Sequence, residues 1–166
     1  VQIWLDPWAD YAGSGYQVVQ GLLALASGGL LGVGLGCGMP EVIPASSTDY
    51  IFAVIGEEFG CIVGVMVIAF YIVFIIRGML IALDTKSKFD ALLVFGSTAM
   101  LAAQSFIILG GVIKLIPLTG VTLPFISAGG SSMLSSMLMV GIIEGVAIKN
   151  GKRDEEDLKL LGGEVK

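Results

Sequence analysis

The residues best suited to chemistry are three carboxylates in one largely apolar stretch, PASSTDYIFAVIGEEFG (44–60). They are Asp49, Glu57 and Glu58, and the stretch contains no Lys or Arg. A carboxylate in such a place either takes up a proton during a reaction or caps and solvates a helix end. The chain has no His, which excludes Ser–His triads and His-based zinc sites. Acid–base chemistry therefore falls to Asp, Glu, Lys or Tyr.

The composition is that of a membrane protein. Apolar residues make up 55% of the 166 residues and charged residues only 14%, whereas soluble domains carry about 25% charge. The opening WLDPWAD has no signal-peptide character, and we expect the chain to be part of a longer polytopic protein. Cys37 and Cys61 have neither metal-ligand nor redox-motif spacing.

Charge is distributed unevenly along the chain. Residues 1–58 hold six acids and no base, and all the bases follow residue 76. Nucleic-acid binding needs a basic surface, and this pattern excludes it. The bases are Arg77, Lys86, Lys88, Lys114, Lys149, Lys152, Arg153, Lys159 and Lys166.

Three long apolar runs predict an all-α, polytopic membrane fold. A helix needs about 20 residues to cross the hydrocarbon core of a bilayer. We predict transmembrane helices at about 50–82, 91–113 and 131–149, and their Ser, Gly and Ala content suits close helix packing in lipid.

The loop charges predict the orientation of these helices, because Lys and Arg are concentrated in cytoplasmic loops. Residues 83–90 are basic and are predicted to lie inside, as is the tail 150–166. Residues 1–58 and the loop 114–132 are then outside, and residues 1–48 form an extracellular region. Three crossings satisfy every loop.

Residues 11–40 are uncharged but include nine glycines. A fourth crossing here would place the basic loop 83–90 outside, so we predict a helix plus a loop packed on or partly into the outer face. Such irregular backbone is tolerated where protein surrounds it. The GVGLGCG run lacks the strand–turn–helix setting of a phosphate-binding loop, and tight packing is the better interpretation.

Three long motifs resemble the C-terminal part of the FtsW/RodA/SpoVE (SEDS) family. They are YQVVQGLLALASGGLLGVGLG, IPASSTDYIFAVIGEEFG and IPLTGVTLPFISAGGSS, and the similarity spans about residues 4–149. The resemblance implies a ten-helix protein of the bacterial cytoplasmic membrane. This chain would correspond to the large extracellular loop after the seventh helix, plus the last three helices.

The resemblance also implies an activity. Family members are peptidoglycan glycosyltransferases that polymerise lipid II, a disaccharide-pentapeptide on undecaprenyl diphosphate, together with a class B penicillin-binding protein. Two alternatives stay open at this point. One is a lipid II flippase, and the other is a non-catalytic scaffold of the division or elongation complex.

The resemblance places the family's essential aspartate at Asp49, in the TDYIF motif. Its expected role is that of the general base that removes the proton from the attacking sugar hydroxyl. The residues alone leave a second role open, since Thr48 or Asp49 could cap the helix that begins with YIFAVIG.

Further candidates for substrate binding lie in or beside the same motifs, and Lys114 is the only base of the predicted extracellular portion. Lys114 would contact the diphosphate or anchor a helix end, and a divalent cation such as Mg²⁺ or Mn²⁺, held by outer carboxylates, is another way to neutralise it. Glu57 and Glu58 are expected to be structural, and one of them could be buried against upstream helices. The substrate-binding candidates are Glu41, Lys114, Gln17, Ser131 and Ser132.

The chain departs from the family pattern at several positions. Ala45 and Ser47 replace the Glu and His of the LPEAHTD form, so the chemistry here does not depend on those two side chains. Ala128 stands where other members carry Tyr, and Thr119 where division-type members carry Lys. The last difference argues against a typical FtsW.

Overall fold

A computed structural model describes residues 2–13 and 15–163, none of which lies in a β-strand. The all-α prediction is confirmed. The helices are α1 (Gln2–Leu5), α2 (Tyr16–Gly28), α3 (Ile51–Asp84), α4 (Lys88–Val112) and α5 (Gly130–Gly163), with 3₁₀ turns at Pro7–Asp10 and Pro40–Val42.

Three of these helices are long and apolar enough to cross a membrane: α3, α4 and the Gly130–Arg153 part of α5. Many of their large apolar side chains are exposed, including Met66, Phe70 and Met100. Exposed apolar surface of this extent is expected where lipid or other helices cover it. Helix α5 also continues beyond residue 149, the end predicted from hydropathy, because polar residues can extend a helix into water.

The first membrane helix is interrupted at Gly60, which the hydropathy pattern did not predict. Gly60 has φ 83° and ψ 176°, so α3 is two helical pieces joined at this residue. Residues 61–84 alone rise by about 36 Å, enough to span a hydrocarbon core of about 30 Å. The shorter piece, 51–59, is therefore not needed to span the membrane, and it lies at the end of the bundle that carries Asp49.

The glycine-rich loop after α2 supplies the hydrogen bonds that the break removes. The backbone N–H groups of Val33 and Gly34 donate to the carbonyls of Glu57 and Glu58, at 2.9 and 3.1 Å. In return, the N–H of Cys61 donates to the carbonyl of Gly29, at 2.9 Å. Unpaired backbone groups are costly in a membrane, and this exchange of bonds makes the break tolerable.

Residues 11–40 contain a helix, α2, followed by a loop, and α2 packs closely on the short piece of α3. A Cβ atom at Gly28 would lie 2.0 Å from the carbonyl oxygen of Gly56, and one at Gly21 would lie 2.3 Å from the ring of Tyr50. Both positions thus require glycine. The apolar cluster here joins α2, α3, α4 and the loop before α5 through Ala24, Tyr50, Ile108 and Leu123.

Polar contacts hold the opposite end of the bundle. Ser87 accepts a hydrogen bond from the N–H of Asp90 and so caps α4. Lys149 of α5 forms an ion pair with Asp90, and Asn150 donates to the hydroxyl oxygen of Thr85 at 2.9 Å. Helix α5 is thereby fastened to the α3–α4 hairpin. The other end of the bundle therefore contains the start of α3, the end of α4 and the start of α5.

The break at Gly60 yields a prediction on stability. A Cβ atom there would lie 2.3 Å from the carbonyl oxygen of Leu30, and the positive φ disfavours any other residue. Gly60→Ala is expected to lower the free energy of unfolding by at least about 1–3 kcal/mol, measured by thermal unfolding in detergent. The control is Gly64→Ala, whose Cβ would make an ordinary 3.6 Å contact with Phe52. Equal stability of the two variants would contradict the break.

Candidate functional site

Asp49 ends a tight turn directly before α3. Ala45, at φ 56°, begins the turn, and its carbonyl accepts the N–H of Asp49 at 3.1 Å. The helix begins at Ile51, its N-cap residue is Tyr50, and no side chain caps it. The capping role that the residues allowed for Asp49 is therefore wrong, and its carboxylate, which is half-buried, is left for another purpose.

The loop between α4 and α5 folds back onto this turn. The hydroxyl of Ser127 donates to the carbonyl oxygen of Thr48 at 2.6 Å and accepts the N–H of Leu123 at 2.8 Å. Next to it, the N–H of Ala128 donates to the carbonyl of Ser47 at 2.9 Å. Two consecutive loop residues therefore fix the two carbonyls that precede Asp49.

The same loop reaches the Asp49 carboxylate. Gly120 has φ 69°, and a Cβ atom there would lie 3.6 Å from Oδ2 of Asp49. The segments 44–50 and 120–128 are distant in sequence, yet together they form one wall of the candidate site around a single carboxylate.

Tyr50 adjoins Asp49 but is not a competing base. Its ring is almost fully buried. Burial, and to a smaller extent the negative charge of Asp49, raise the pKa of Tyr50 to about 12. The phenol therefore stays protonated at neutral pH and does not act as a base beside Asp49.

Gln17 and Lys114 line one cleft at this end of the bundle. The cleft measures about 260 Å³ and is also lined by Trp4 and Pro117. Gln17 donates to the carbonyl of Pro44 at 3.0 Å, in the turn that leads to Asp49. The ammonium of Lys114 donates to the carbonyl of Leu5 at 3.3 Å, so it anchors the N-terminal segment and keeps two further donors.

Ser132 belongs to a polar group that supports the same loop. Its hydroxyl oxygen lies 2.7 Å from that of Thr122, and Gln104 of α4 donates to the carbonyl of Thr122 at 2.9 Å. Ser131 and Glu41 are exposed, the first in the opening turn of α5 and the second in the 3₁₀ turn before Asp49. Of the predicted binding residues, Gln17 and Ser132 therefore contact segments around Asp49, whereas Ser131 and Glu41 are exposed.

Sequence reasoning missed Ser127 and Tyr71. The Tyr71 hydroxyl, in the middle of α3, donates to the carbonyl of Pro124 and so fastens the loop between α4 and α5 to α3. Neither residue is marked by a local pattern, because both act on backbone carbonyls brought near by tertiary folding.

The described residues offer no ready-made metal site. Within residues 2–13 and 15–163, no group of three or more Cys, Asp or Glu side chains is placed to hold a metal ion. Among the described residues, the donors at this end therefore do not form a metal site by themselves.

Comparison with known proteins places these residues in a family context. The family model for FtsW, RodA and SpoVE, described as "Cell cycle protein", matches residues 1–152. The chain is 43% identical over 171 residues to "Peptidoglycan glycosyltransferase RodA" of Mycobacterium tuberculosis (strain ATCC 25618 / H37Rv), covering 99% of this chain and 36% of the relative.

Two other relatives carry different names. The chain is 40% identical over 146 residues to "Stage V sporulation protein E" of Bacillus subtilis (strain 168), covering 87% of this chain and 40% of the relative. It is 38% identical over 148 residues to "Probable peptidoglycan glycosyltransferase FtsW" of Geobacter metallireducens, covering 88% and 40%. The chain thus spans two-fifths or less of the length of each of these three relatives.

The double hydrogen bond of Ser127 generates the next prediction. Ser127→Ala leaves the buried N–H of Leu123 and the carbonyl of Thr48 without this partner, and an unsatisfied buried group costs about 1–3 kcal/mol. We expect lower thermal stability in detergent and a more mobile 44–50 turn, seen as faster amide hydrogen exchange there. Ser135→Ala is the control, because Ser135 is exposed and bonds only within α5. Unchanged exchange in the Ser127 variant would contradict the contact.

The raised pKa of Tyr50 predicts a dependence of stability on pH. A pKa that is higher in the folded state than in the unfolded state means that stability is lost as the pH rises from about 10 towards 12. Tyr50→Phe should remove this part of the alkaline loss of stability and leave the profile below pH 9 unaltered. Melting temperatures of both proteins across that range measure it, and parallel alkaline losses would refute the prediction.

Proposed function

This chain belongs to the FtsW, RodA and SpoVE family, and from that premise we propose that it is part of a peptidoglycan glycosyltransferase in which Asp49 is the general base. The observation that carries the proposal is the Asp49 carboxylate. It is half-buried, it does not cap α3, and two loop contacts hold the backbone before it. Relatives named as peptidoglycan glycosyltransferases support the reaction class.

The protein is a multi-pass membrane protein, and its proposed location is the bacterial inner membrane. We assign residues 1–58 and 114–132 to the extracellular side, and residues 83–90 and the tail 150–166 to the cytoplasm. The basic 83–90 loop and the base-free first 76 residues support this orientation. Residues 1–48 then form an extracellular region, and the three helices occupy 49–149.

The proposed reaction joins the 4-hydroxyl of an acceptor N-acetylglucosamine to the anomeric carbon of a donor N-acetylmuramic acid. The bond from that carbon to undecaprenyl diphosphate breaks, and the diphosphate leaves with the electron pair. Asp49 takes the hydroxyl proton as the new bond forms. A positioned base of this kind contributes on the order of 10²–10⁴-fold to the rate.

The position of Asp49 suits a lipid-linked substrate. It lies before the short outer piece of α3, at the end of the bundle assigned to the extracellular side. A polyprenyl tail in the bilayer would hold the donor's diphosphate and sugar at that level. No base lies near Asp49 in its own segment, so no local ion pair competes for its carboxylate.

Other residues at this end are assigned to substrate binding. Lys114, with two donors not used by Leu5, is proposed to contact the diphosphate, and Gln17 to bind sugar hydroxyls in the same cleft. Ser131 lies in the first turn of α5, where backbone N–H groups favour an anion. Glu41 and Ser132 are proposed to position substrate, and a divalent cation would arrive bound to the diphosphate.

The site requires more than this chain supplies. The relatives are more than twice its length, and we propose that their remaining helices form the facing wall. A class B penicillin-binding protein is the proposed partner that crosslinks the glycan. The flippase alternative would need a polar route across the membrane, and the polar residues in the spans, such as Gln104 and Glu144, are scattered along the described helices.

The central test is Asp49→Asn in the full-length protein. Polymerisation of purified lipid II, followed by gel separation of glycan strands, should fall by about 10²–10⁴-fold, because the hydroxyl proton has no acceptor. Binding of lipid II should persist, since Asn keeps the size of the side chain. Polymerisation by the wild type and the variant is measured both with and without the penicillin-binding partner.

The control is Asp84→Asn, which neutralises a carboxylate at the far end of the same helix and should leave polymerisation intact. Full turnover by the Asp49 variant would refute the catalytic role. Loss of lipid II movement across vesicles without loss of polymerisation would favour the flippase.

A further inference from the structure

Glu57 is buried without a partner for its charge. The residue is 8% exposed, and within the described part of the chain its Oε2 atom has no hydrogen-bond partner. Its Oε1 atom accepts only a long, 3.5 Å bond from the N–H of Met39. An isolated buried carboxylate is unfavourable by several kcal/mol unless a cation or donor compensates it.

The surroundings of Glu57 increase the negative potential. The adjacent Glu58 carboxylate accepts a bond from the N–H of Gly36, and the first 76 residues contain no base. The short helical piece 51–59 also ends here, and its C-terminal end carries the negative pole of the helix dipole. A positively charged group would therefore be stabilised beside the Glu57 carboxyl group.

The space beside Glu57 has the shape and lining for an amphipathic cation. A cavity of about 170 Å³ is bounded mainly by apolar side chains, with Glu57, Gln20 and Ser27 as its polar groups. Leu23 and Met39 at its edge are large, apolar and exposed. Lys and Arg bury methylene stems along such apolar walls and place their charge at a polar end.

We propose that this cavity receives a Lys or Arg side chain from the part of the full-length family protein that residues 1–166 do not include. The cation pairs with Oε2 of Glu57, and its stem covers the apolar edge formed by Leu23 and Met39. The surface around Gln20, Ser27 and Met39 is thus an interface with that other segment. This proposal is independent of the role of Asp49, and its test does not measure activity.

An inorganic cation fits this cavity less well. Ca²⁺ and Mg²⁺ take six or more oxygen ligands, whereas one carboxylate faces a largely apolar wall here. No set of three potential metal-binding side chains occurs among the described residues.

The experiment is a charge swap in the full-length protein, read as melting temperature in detergent. Glu57→Lys is expected to lower it by about 5–15 °C, because two cations then meet in a buried site. Each Lys and Arg outside residues 1–166 is next replaced by Glu in that background. One such replacement should restore at least half of the loss.

Glu58→Lys is the matched control, because the Glu58 carboxylate already accepts a hydrogen bond from the N–H of Gly36. The Lys or Arg replacement that rescues Glu57→Lys should not rescue Glu58→Lys. If Glu57→Lys does not accumulate, Glu57→Gln enters a double-mutant cycle with neutral variants of the same bases, and one base should show non-additivity.

Three results would overturn the proposal. The first is the absence of rescue or coupling by any base. The second is a Glu57→Lys protein as stable as the wild type. The third is stabilisation of the wild type, but not of Glu57→Gln, by added Na⁺ or Mg²⁺, which would assign the cavity to an inorganic ion.

Discussion

The Ser127 hydroxyl joins the two segments that form the Asp49 end of the helix bundle. It binds its own loop through the N–H of Leu123 and the neighbouring segment through the carbonyl of Thr48. Asp49 is the next residue, so its backbone position follows from this bond and from the one between Ala128 and Ser47. Tyr71 and Gln104 hold the same loop from the membrane helices, and the bundle thereby sets the geometry of the carboxylate.

A second constraint is the need to pair every backbone group in or near lipid. The break at Gly60 frees carbonyls of one helical piece and N–H groups of the next, and residues 29–34 bond to both. Only glycine permits the close approach, since a Cβ atom at Gly32 would lie 2.1 Å from the carbonyl oxygen of Glu58. The glycine-rich run thus supplies hydrogen-bond partners for the backbone groups around the break at Gly60.

Hydropathy was sufficient to predict α3, α4 and α5 within a few residues at most ends, because a long uncharged run has few other solutions. The break at Gly60 could not be predicted this way, since its cause lies in a loop nearly thirty residues earlier. Asp49 stood out by its motif, whereas Ser127 did not. A hydroxyl that binds a distant carbonyl leaves no local signal in a single sequence.

Asp49, just before α3, and Glu57, in the short first piece of α3, lie in one sequence stretch but differ in their surroundings. Both lie in a stretch without a base, so neither can be neutralised locally. Asp49 precedes the helix, is half-buried, and lies beside the loop at Gly120. Glu57 lies two turns further along, where α2 and the glycine loop enclose it. In the two proposals made above, the same absence of bases leaves the Asp49 carboxylate available to accept a proton and makes the Glu57 carboxylate depend on a cation from another segment.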